Sequence, residues 1–458
     1  MKVIVCGAGQ VGSSIAQQLA SENNEVTVID RSPETIQRVA DSLDVQTMVG
    51  HASHPDVLEA AGAKGADMII AVTQQDEVNM VACQVAHSLF EIPTRIARVR
   101  AQSYLAPMWS DLFSREHMPI DVIISPEIEV ARAVAQRLQV PGASDMIPFA
   151  DGRVRVVAVL IDENCPLIDT PLRQLTELFP DLSIRVLGLV RDDEIIVPRG
   201  DDQMLVGDEA YFAVDSHQVD RAMAAFGHEE KEARRIVIIG GGNIGLFLAR
   251  LLVEESPSFA IKIIEINKQR AEYVADQLDK VVTLHGDSLD SEILIEANVR
   301  QSEAVIAVTN DDQVNILSSL LAKRHGAPRA MTLVNKVSYG PLMRSLGVDA
   351  VVNPRAITVS RILQHIRRGR IRGVHSLRDG MAEIIEAEAL ETSPLVGQPL
   401  RDVKLPAGLV IGAIVRDAEV IIPRGDTVIE THDKVVLFAL KGAVKKVEKL
   451  FAVRLEFF

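Results

Sequence analysis

Two short stretches have the residue types and spacing for a specific chemistry, the holding of a pyrophosphate: Gly7-Ala8-Gly9-Gln10-Val11-Gly12 and Gly240-Gly241-Gly242-Asn243-Ile244-Gly245. In this pattern the first glycine permits a tight turn, the second lets backbone approach the phosphates, and the third packs helix against strand. The helix that follows presents unpaired N–H groups and a partial positive charge. A single GxGxxG is a weak signal, but here each copy follows an apolar strand, opens a helix and has an acidic residue ending the next strand. Asp30 lies 23 residues after Gly7, and Glu265 lies 25 after Gly240. Each is placed to accept hydrogen bonds from a ribose 2′- and 3′-hydroxyl and to repel a 2′-phosphate. NAD or an adenine nucleotide is therefore favoured over NADP. The competing reading is a glycine turn kept only for packing.

A ligand on such a sheet lies across the carboxyl ends of its strands. Thr73 and Gln74 fall there in the first copy, Thr309 and Asn310 in the second, where they could meet ribose or phosphates. Asp76 with Asn79, and Asp312 with Asn315, could touch ligand or brace the following helix. Arg98 could reach the first site's phosphates or form a surface ion pair, and Leu333 aligns with it in the second copy. Catalysis is not expected. The smaller domains offer no His-centred set, His51, His54 and His87 lack matching partners in the second copy, and no HExxH, GxSxG or P-loop Lys-Ser/Thr occurs. Cys6, just before the first glycine turn, reads as a small buried residue rather than a nucleophile.

These residues sit on a chain that repeats. Val26–Asp30 returns as Ile261–Glu265, and Ala71-Val72-Thr73-Gln74-Gln75-Asp76-Glu77-Val78-Asn79 as Ala307-Val308-Thr309-Asn310-Asp311-Asp312-Gln313-Val314-Asn315, the offset drifting only from 233 to 236 residues. Pro166-Leu167 with Pro171-Leu172 matches Pro394-Leu395 with Pro399-Leu400, and Val190–Asp201 matches Val415–Asp426. A two-domain unit is thus written twice. Short β-branched runs alternating with helical stretches predict a parallel, doubly wound α/β sheet in each larger domain. Strand-rich segments such as Val154–Ile161 and Glu209–Val214 predict a small α+β module after each. The expected domains are 1–139 and 232–367 for nucleotide binding, with 140–227 and 368–458 as the smaller modules.

Composition narrows the class. The 458 residues are 47% hydrophobic and 24% charged, as in a packed globular protein, with no run of about 20 apolar residues to span a bilayer. Cys6, Cys83 and Cys165 are too few and scattered for a disulfide framework or a zinc site, so a reducing cytoplasm is expected and no metal site. The net charge of −15 is uneven. Residues 1–231 hold 18 Lys plus Arg against 35 Asp plus Glu (−17), and the remainder hold 30 against 28 (+2). The first half is too acidic for bulk nucleic-acid binding. The near-neutral second half carries Arg367, Arg368, Arg370, Arg372 and Arg378, a solvated face or a partner contact.

The GAGQVG turn with Asp30, Gly50-His51-Ala52-Ser53-His54-Pro55-Asp56, the AVTQQDEVN strand end and the duplicated GGGNIG resemble the TrkA family, the peripheral nucleotide-binding subunits of bacterial Trk potassium uptake systems. Ala322-Lys323-Arg324 and Leu405-Pro406-Ala407-Gly408 also look like that family, and the likeness covers essentially the whole chain. It implies two tandem Rossmann-like RCK nucleotide-binding domains, each followed by an RCK C-terminal domain, with no catalysis. It further implies binding of NAD(H), with ATP or ADP as further ligands, in a homo-oligomeric ring expected to be a tetramer. That ring would dock from the cytoplasm on a membrane-embedded potassium-translocating subunit and gate it. The first site would use Gly7, Ala8, Gly9, Gln10, Val11, Gly12, Asp30, Thr73, Gln74 and Arg98. The second would use Gly240, Gly241, Gly242, Asn243, Ile244, Gly245, Glu265, Thr309 and Asn310. His51 departs from the acidic residue common in related domains, which the second copy retains as Asp287. The alternatives are an NAD-dependent oxidoreductase, a redox-sensing regulator of another partner, and an interaction protein with vestigial pockets.

Overall fold

The alternation of β-branched runs and helices builds two parallel six-stranded sheets in the computed structural model, which describes all residues except 180–181, 340–341, 344–345, 367–370 and 452–458. The first sheet contains β1 (Lys2–Cys6), β2 (Glu25–Asp30), β3 (Gln46–Val49), β4 (Met68–Ala71), β5 (Thr94–Arg98) and β6 (Val122–Ile124), in the order β3-β2-β1-β4-β5-β6. Val3, Ile4, Val5 and Cys6 are all buried, as expected of a central parallel strand covered on both faces. Cys6 pairs with Ile29 on one side and Ala71 on the other, so β1, β2 and β4 end level. The strand order reverses between β2 and β4, on either side of β1, and the first glycine turn leaves β1 at that point.

The smaller module that follows is a five-stranded sheet of β7 (Ala143–Phe149), β8 (Val154–Leu160), β9 (Ile184–Arg191), β10 (Glu194–Ile196) and β11 (Glu209–Asp215), in the order β10-β9-β11-β8-β7. All its pairings are antiparallel. The second half repeats this plan. β12 (Arg235–Ile239), β13 (Ala260–Glu265), β14 (Val282–His285), β15 (Ala304–Ala307), β16 (Ala330–Leu333) and β17 (Ala350–Val352) are ordered β14-β13-β12-β15-β16-β17. The last sheet holds β18 (Ile371–Leu377), β19 (Ala382–Glu388), β20 (Leu409–Arg416), β21 (Glu419–Ile421) and β22 (Lys434–Leu440), in the order β18-β19-β22-β20-β21.

The chain packs as two units, Met1–Glu129 with Arg355–Ile366, and Val130–Pro354 with Arg367–Phe458. In the first, the helix that leaves the second large sheet lies with the first, where Arg361 Nε is 3.9 Å from Glu129 Oε1. In the second unit the two antiparallel sheets share one apolar core, with Phe149, Leu187, Tyr211, Ile384, Ala413 and Phe438 buried together. Two glycines permit the close approach. A Cβ on Gly188 would stand 2.7 Å from the Phe438 ring, and one on Gly412 would stand 2.6 Å from Leu187. Polar groups seal the same interface. Glu386 accepts from the Ala150 N–H at 2.8 Å, Lys434 pairs with Asp151, and Arg378 pairs with Asp193 at 3.0 Å.

Of the arginine cluster, Arg367, Arg368 and Arg370 lie outside the described residues. Arg372 pairs with Glu388 and Arg378 with Asp193 and Glu209, so these two are engaged within the fold. Among the described residues, no helix is long and apolar enough to cross a membrane.

Candidate nucleotide-binding sites

Each glycine has a separate physical reason to be glycine. Gly7 and Gly240 have φ of +107° and +106°, in the region where a side chain is strained. A Cβ on Gly12 would lie 1.8 Å from the Gly7 carbonyl oxygen, and one on Gly245 2.0 Å from that of Gly240. These four glycines are required by the turn and by helix–strand contact alone. Gly9 and Gly242 are different: a Cβ there would meet nothing within 4 Å. They open the helices Gln10–Ser21 and Asn243–Glu255 without any side-chain cap on the first-turn N–H groups, and the space where a Cβ would stand is open. That opening is the cradle a phosphate would fill. Gln10 and Asn243 are exposed beside it, while Val11 and Ile244 are half-buried.

The acidic residues hold the turn and keep acceptor capacity. Asp30 accepts from the Ala8 N–H at 2.8 Å with one oxygen and the Ser32 N–H at 2.9 Å with the other. Glu265 does the same with the N–H groups of Gly241 at 2.7 Å and Asn267 at 2.9 Å. Each carboxylate oxygen has a second lone pair for a ribose hydroxyl.

The structure decides the role of the asparagines. Asn79 is fully buried and makes four hydrogen bonds: Oδ1 accepts from Thr73 N at 2.8 Å and Thr73 Oγ1 at 2.7 Å, and Nδ2 donates to Thr73 O at 3.2 Å and Arg98 O at 2.9 Å. Asn315 repeats the pattern with Thr309 and Leu333. Asp76 accepts from the N–H groups of Arg100 and Ala101, and Asp312 from those of Asn335 and Lys336. All four are braces that lock the ends of adjacent strands. The Thr73 and Thr309 hydroxyls are engaged by these braces, whereas Gln74 and Asn310 stand exposed at the strand ends.

Arg98 ends β5, and its Nη2 donates to the Thr73 carbonyl at 2.6 Å. Its Nε is buried without a hydrogen-bond partner. Burial, with Arg100 adding repulsion, lowers its pKa from the ordinary arginine value. An anion at this end would satisfy the orphaned N–H and offset both effects. Cys6 is fully buried and its thiol is pushed up to about 12 by desolvation, so it stays protonated below the glycine turn.

Comparison with known proteins agrees with this geometry. A family model described as the TrkA-N domain matches residues 3–126 and 236–354, and one described as the TrkA-C domain matches residues 156–227 and 384–452. The chain belongs to the TrkA family. It is 57% identical over 458 residues to the Trk system potassium uptake protein TrkA of Azorhizobium caulinodans, covering 100% of both chains. It is 43% identical to the protein of the same name from Halomonas elongata, again over 100% of each. Among solved structures, the GsuK RCK domain superposes with a TM-score of 0.60 at 17% identity, over 99% of this chain and 95% of that one. The GsuK channel bound to NAD gives 0.59 at 16% identity, over 99% and 79%. At these identities the likeness shows the fold, the tandem RCK architecture.

One residue that sequence reading passed over stands in the second site of this TrkA-family chain. Arg270, in the first turn of the helix Lys268–Gln277, donates from Nε to the Gly241 carbonyl at 2.6 Å and from Nη2 to Asn243 Oδ1 at 3.2 Å. Its guanidinium lies 4.8 Å from the Tyr273 ring centroid. Its place three residues after the cap Asn267 was the available signal, and Thr35 takes that place after Ser32 in the first copy.

Proposed function

We propose that this chain is the regulatory subunit of a Trk-type potassium uptake system and binds NAD(H), with ATP or ADP as further ligands, at both glycine turns. The open space at Gly9 and Gly242 carries the nucleotide reading, since packing alone does not demand glycine there. In the first site the N–H groups following Gly9 would hold the phosphates, Asp30 the ribose, and Gln74 and Arg98 the far side. In the second, Gly242, Glu265 and Asn310 would do the same. The domains 1–139, 140–227, 232–367 and 368–458 would assemble as a homo-oligomeric ring, a tetramer, attached from the cytoplasm to a membrane-embedded potassium-translocating subunit. A GsuK structure is a channel bound to NAD, and the relatives are named as potassium uptake proteins, both of which support this reading.

The role proposed is non-catalytic. A bound nucleotide supplies charge and hydrogen-bonding groups that bridge the strands on either side of β1. It shifts the domain between two states only by binding one more tightly, and moving a population from 1:99 to 99:1 needs roughly a 10⁴-fold difference. The decisive experiment is purification without added ligand and mass spectrometry of whatever remains bound, with calorimetric titration of NADH, NAD, ATP and ADP. NAD(H) or an adenine nucleotide at up to two per chain is expected. Recovery of none, with no heat and no thermal shift on adding any of the four, refutes the assignment. Potassium flux into vesicles carrying the membrane subunit, with and without nucleotide, tests the gating role.

A further inference from the structure

The two smaller modules meet through equivalent surfaces whose residues are not alike. Strand registers fix the equivalence. β11 pairs with β9 through Glu209 and Val190, Tyr211 and Gly188 and, past a bulge, Ala213 and Arg185. β22 pairs with β20 in the same way, through Lys434 and Val415, Val436 and Ala413 and, past a bulge, Phe438 and Val410. Glu209 therefore matches Lys434, Gly188 matches Ala413, Ala213 matches Phe438, and the bulge residue Leu187 matches Gly412. The packing is reciprocal, with β9 against β20, β11 against β20 and β22 against β9. Such a pseudo-twofold arrangement is the one in which a module could meet its own copy. Each contact across it nevertheless joins unlike residues. A Cβ on Gly188 would stand 2.7 Å from the Phe438 ring, while the reciprocal pair, Ala213 and Ala413, is small on both sides. Leu187 faces Gly412, where a Cβ would stand 2.6 Å away. At the rim Glu209 lies 3.5 Å from Arg378, and Lys434 pairs with Asp151. His375 lies 3.4 Å from Asp145, and the residue matching His375 in the first module is Ile147.

We propose that these facing surfaces accept the unlike module and refuse their own copy on a second chain. Placing each self-pair in the same geometry shows why. Two second modules would press each Phe438 ring onto Ala413, whose Cβ fills the space that Gly188 leaves open, and would leave a void between the two Gly412 residues. Two first modules would set Leu187 against Leu187 where only a glycine now fits, and would leave a ring-sized void between Gly188 and Ala213. Glu209 would then stand beside Asp151 instead of Arg378, and Asp145 would exchange His375 for Ile147. Overpacking and cavities both cost stability, and an acid set against an acid adds to the cost of the first self-pair. Linkage in one chain raises the local concentration of the correct partner, but it does not tell like from unlike once several chains assemble. The side chains do. Copies of this chain therefore join through surfaces other than two like modules.

Half swaps in the full chain mimic each self-pair. Gly188→Ala with Ala213→Phe gives both modules the second module's facing residues, and Ala413→Gly with Phe438→Ala gives both the first module's. Hydrogen exchange resolved by segment reads the interface on β9, β11, β20 and β22, with β1 and β12 of the nucleotide domains as the internal reference. Each half swap should lower protection on those four strands by about 10- to 100-fold, the range expected from overpacking or a cavity. All four substitutions together restore one large-on-small contact on the opposite side of the axis, and protection should return to within about threefold of the parent's. Lys434→Glu, which sets a carboxylate against Asp151, should cause a smaller, salt-dependent loss that Asp151→Lys reverses. Parental protection in both half swaps overturns the proposal. So does a fourfold variant no better protected than the half swaps, because the loss would then arise within each strand and not from complementarity. Should a half swap prove too unstable to purify, recovery or failure of the fourfold variant decides the same point.

Discussion

Replacing Asn79 by alanine tests whether the brace between β4 and β5 holds the first site together. The side chain is fully buried and makes four hydrogen bonds, two accepted from Thr73 and two donated to the carbonyls of Thr73 and Arg98. At a net ~1 kcal/mol per bond the loss is about 4 kcal/mol. The Thr73 N–H loses its acceptor, whereas the Thr73 carbonyl keeps the Arg98 guanidinium. Asn79→Asp separates hydrogen bonding from simple cavity formation. It fills the same volume but turns a donor toward two carbonyl oxygens into an acceptor, so it should be at least as damaging as alanine. Because the chain holds several domains, one melting temperature is not a sufficient readout. Hydrogen exchange resolved by segment is the better assay. The ends of β4 and β5 should lose protection in Asn79→Ala while β15 and β16 keep theirs, and Asn315→Ala should do the reverse. Nucleotide affinity should fall only at the site whose asparagine is changed. A loss under ~1 kcal/mol, or an Asn79→Asp variant as stable as the unmodified chain, refutes the bracing account.

Other perturbations follow from the same contacts. Gly12→Ala places a Cβ 1.8 Å from the Gly7 carbonyl and should destabilise the first nucleotide domain by about 3 kcal/mol or more, read in denaturant melts, whereas Gly9→Ala meets open space and should change stability by under ~1 kcal/mol. Gly188→Val drives a side chain into the Phe438 ring and should separate the two antiparallel sheets, seen as raised proteolysis and exchange in β9 and β22. Asp145 is buried, which alone would raise its pKa. The Arg137 guanidinium at 2.7 Å outweighs that and, with His375 at 3.4 Å, holds the carboxyl well below the usual range. Its folded pKa is thus below the unfolded value of about 3.9, so its stabilisation is complete above that value and is lost as pH falls through the folded one. Asp145→Asn should cost ~3–5 kcal/mol at pH 7 and flatten the acid limb of the stability profile. An acid limb unchanged from the parent's would show that another group sets it.

What the sequence discloses and what it hides divide along one physical line. Strand β1, the glycine turn and Asp30 are local in the chain, each imposed by a backbone or burial requirement that recurs 233 to 235 residues later, so duplication made them readable. The brace roles of Asn79 and Asp76 stayed open because they depend on which strand lies beside β4, a fact of topology rather than of spacing. Arg270 was missed for a related reason. Its place three residues after a cap tells where the helix begins, not that the guanidinium reaches back to the Gly241 carbonyl, 29 positions earlier. The shared core of the smaller sheets was equally hidden, since Gly188 and Gly412 look like ordinary strand glycines until Phe438 and Leu187 face them. The repeat makes this division useful. Where the copies agree on a buried brace, as with Asn79 and Asn315, the residue holds the scaffold, whereas Gly9 and Gly242 agree with no packing demand behind them. Where the nucleotide domains differ at a scaffold-equivalent position, as with Arg98 and Leu333 or Thr35 and Arg270, folding does not dictate the choice. Those positions are where ligand preference is free to diverge, and there the two sites of one chain serve as each other's control.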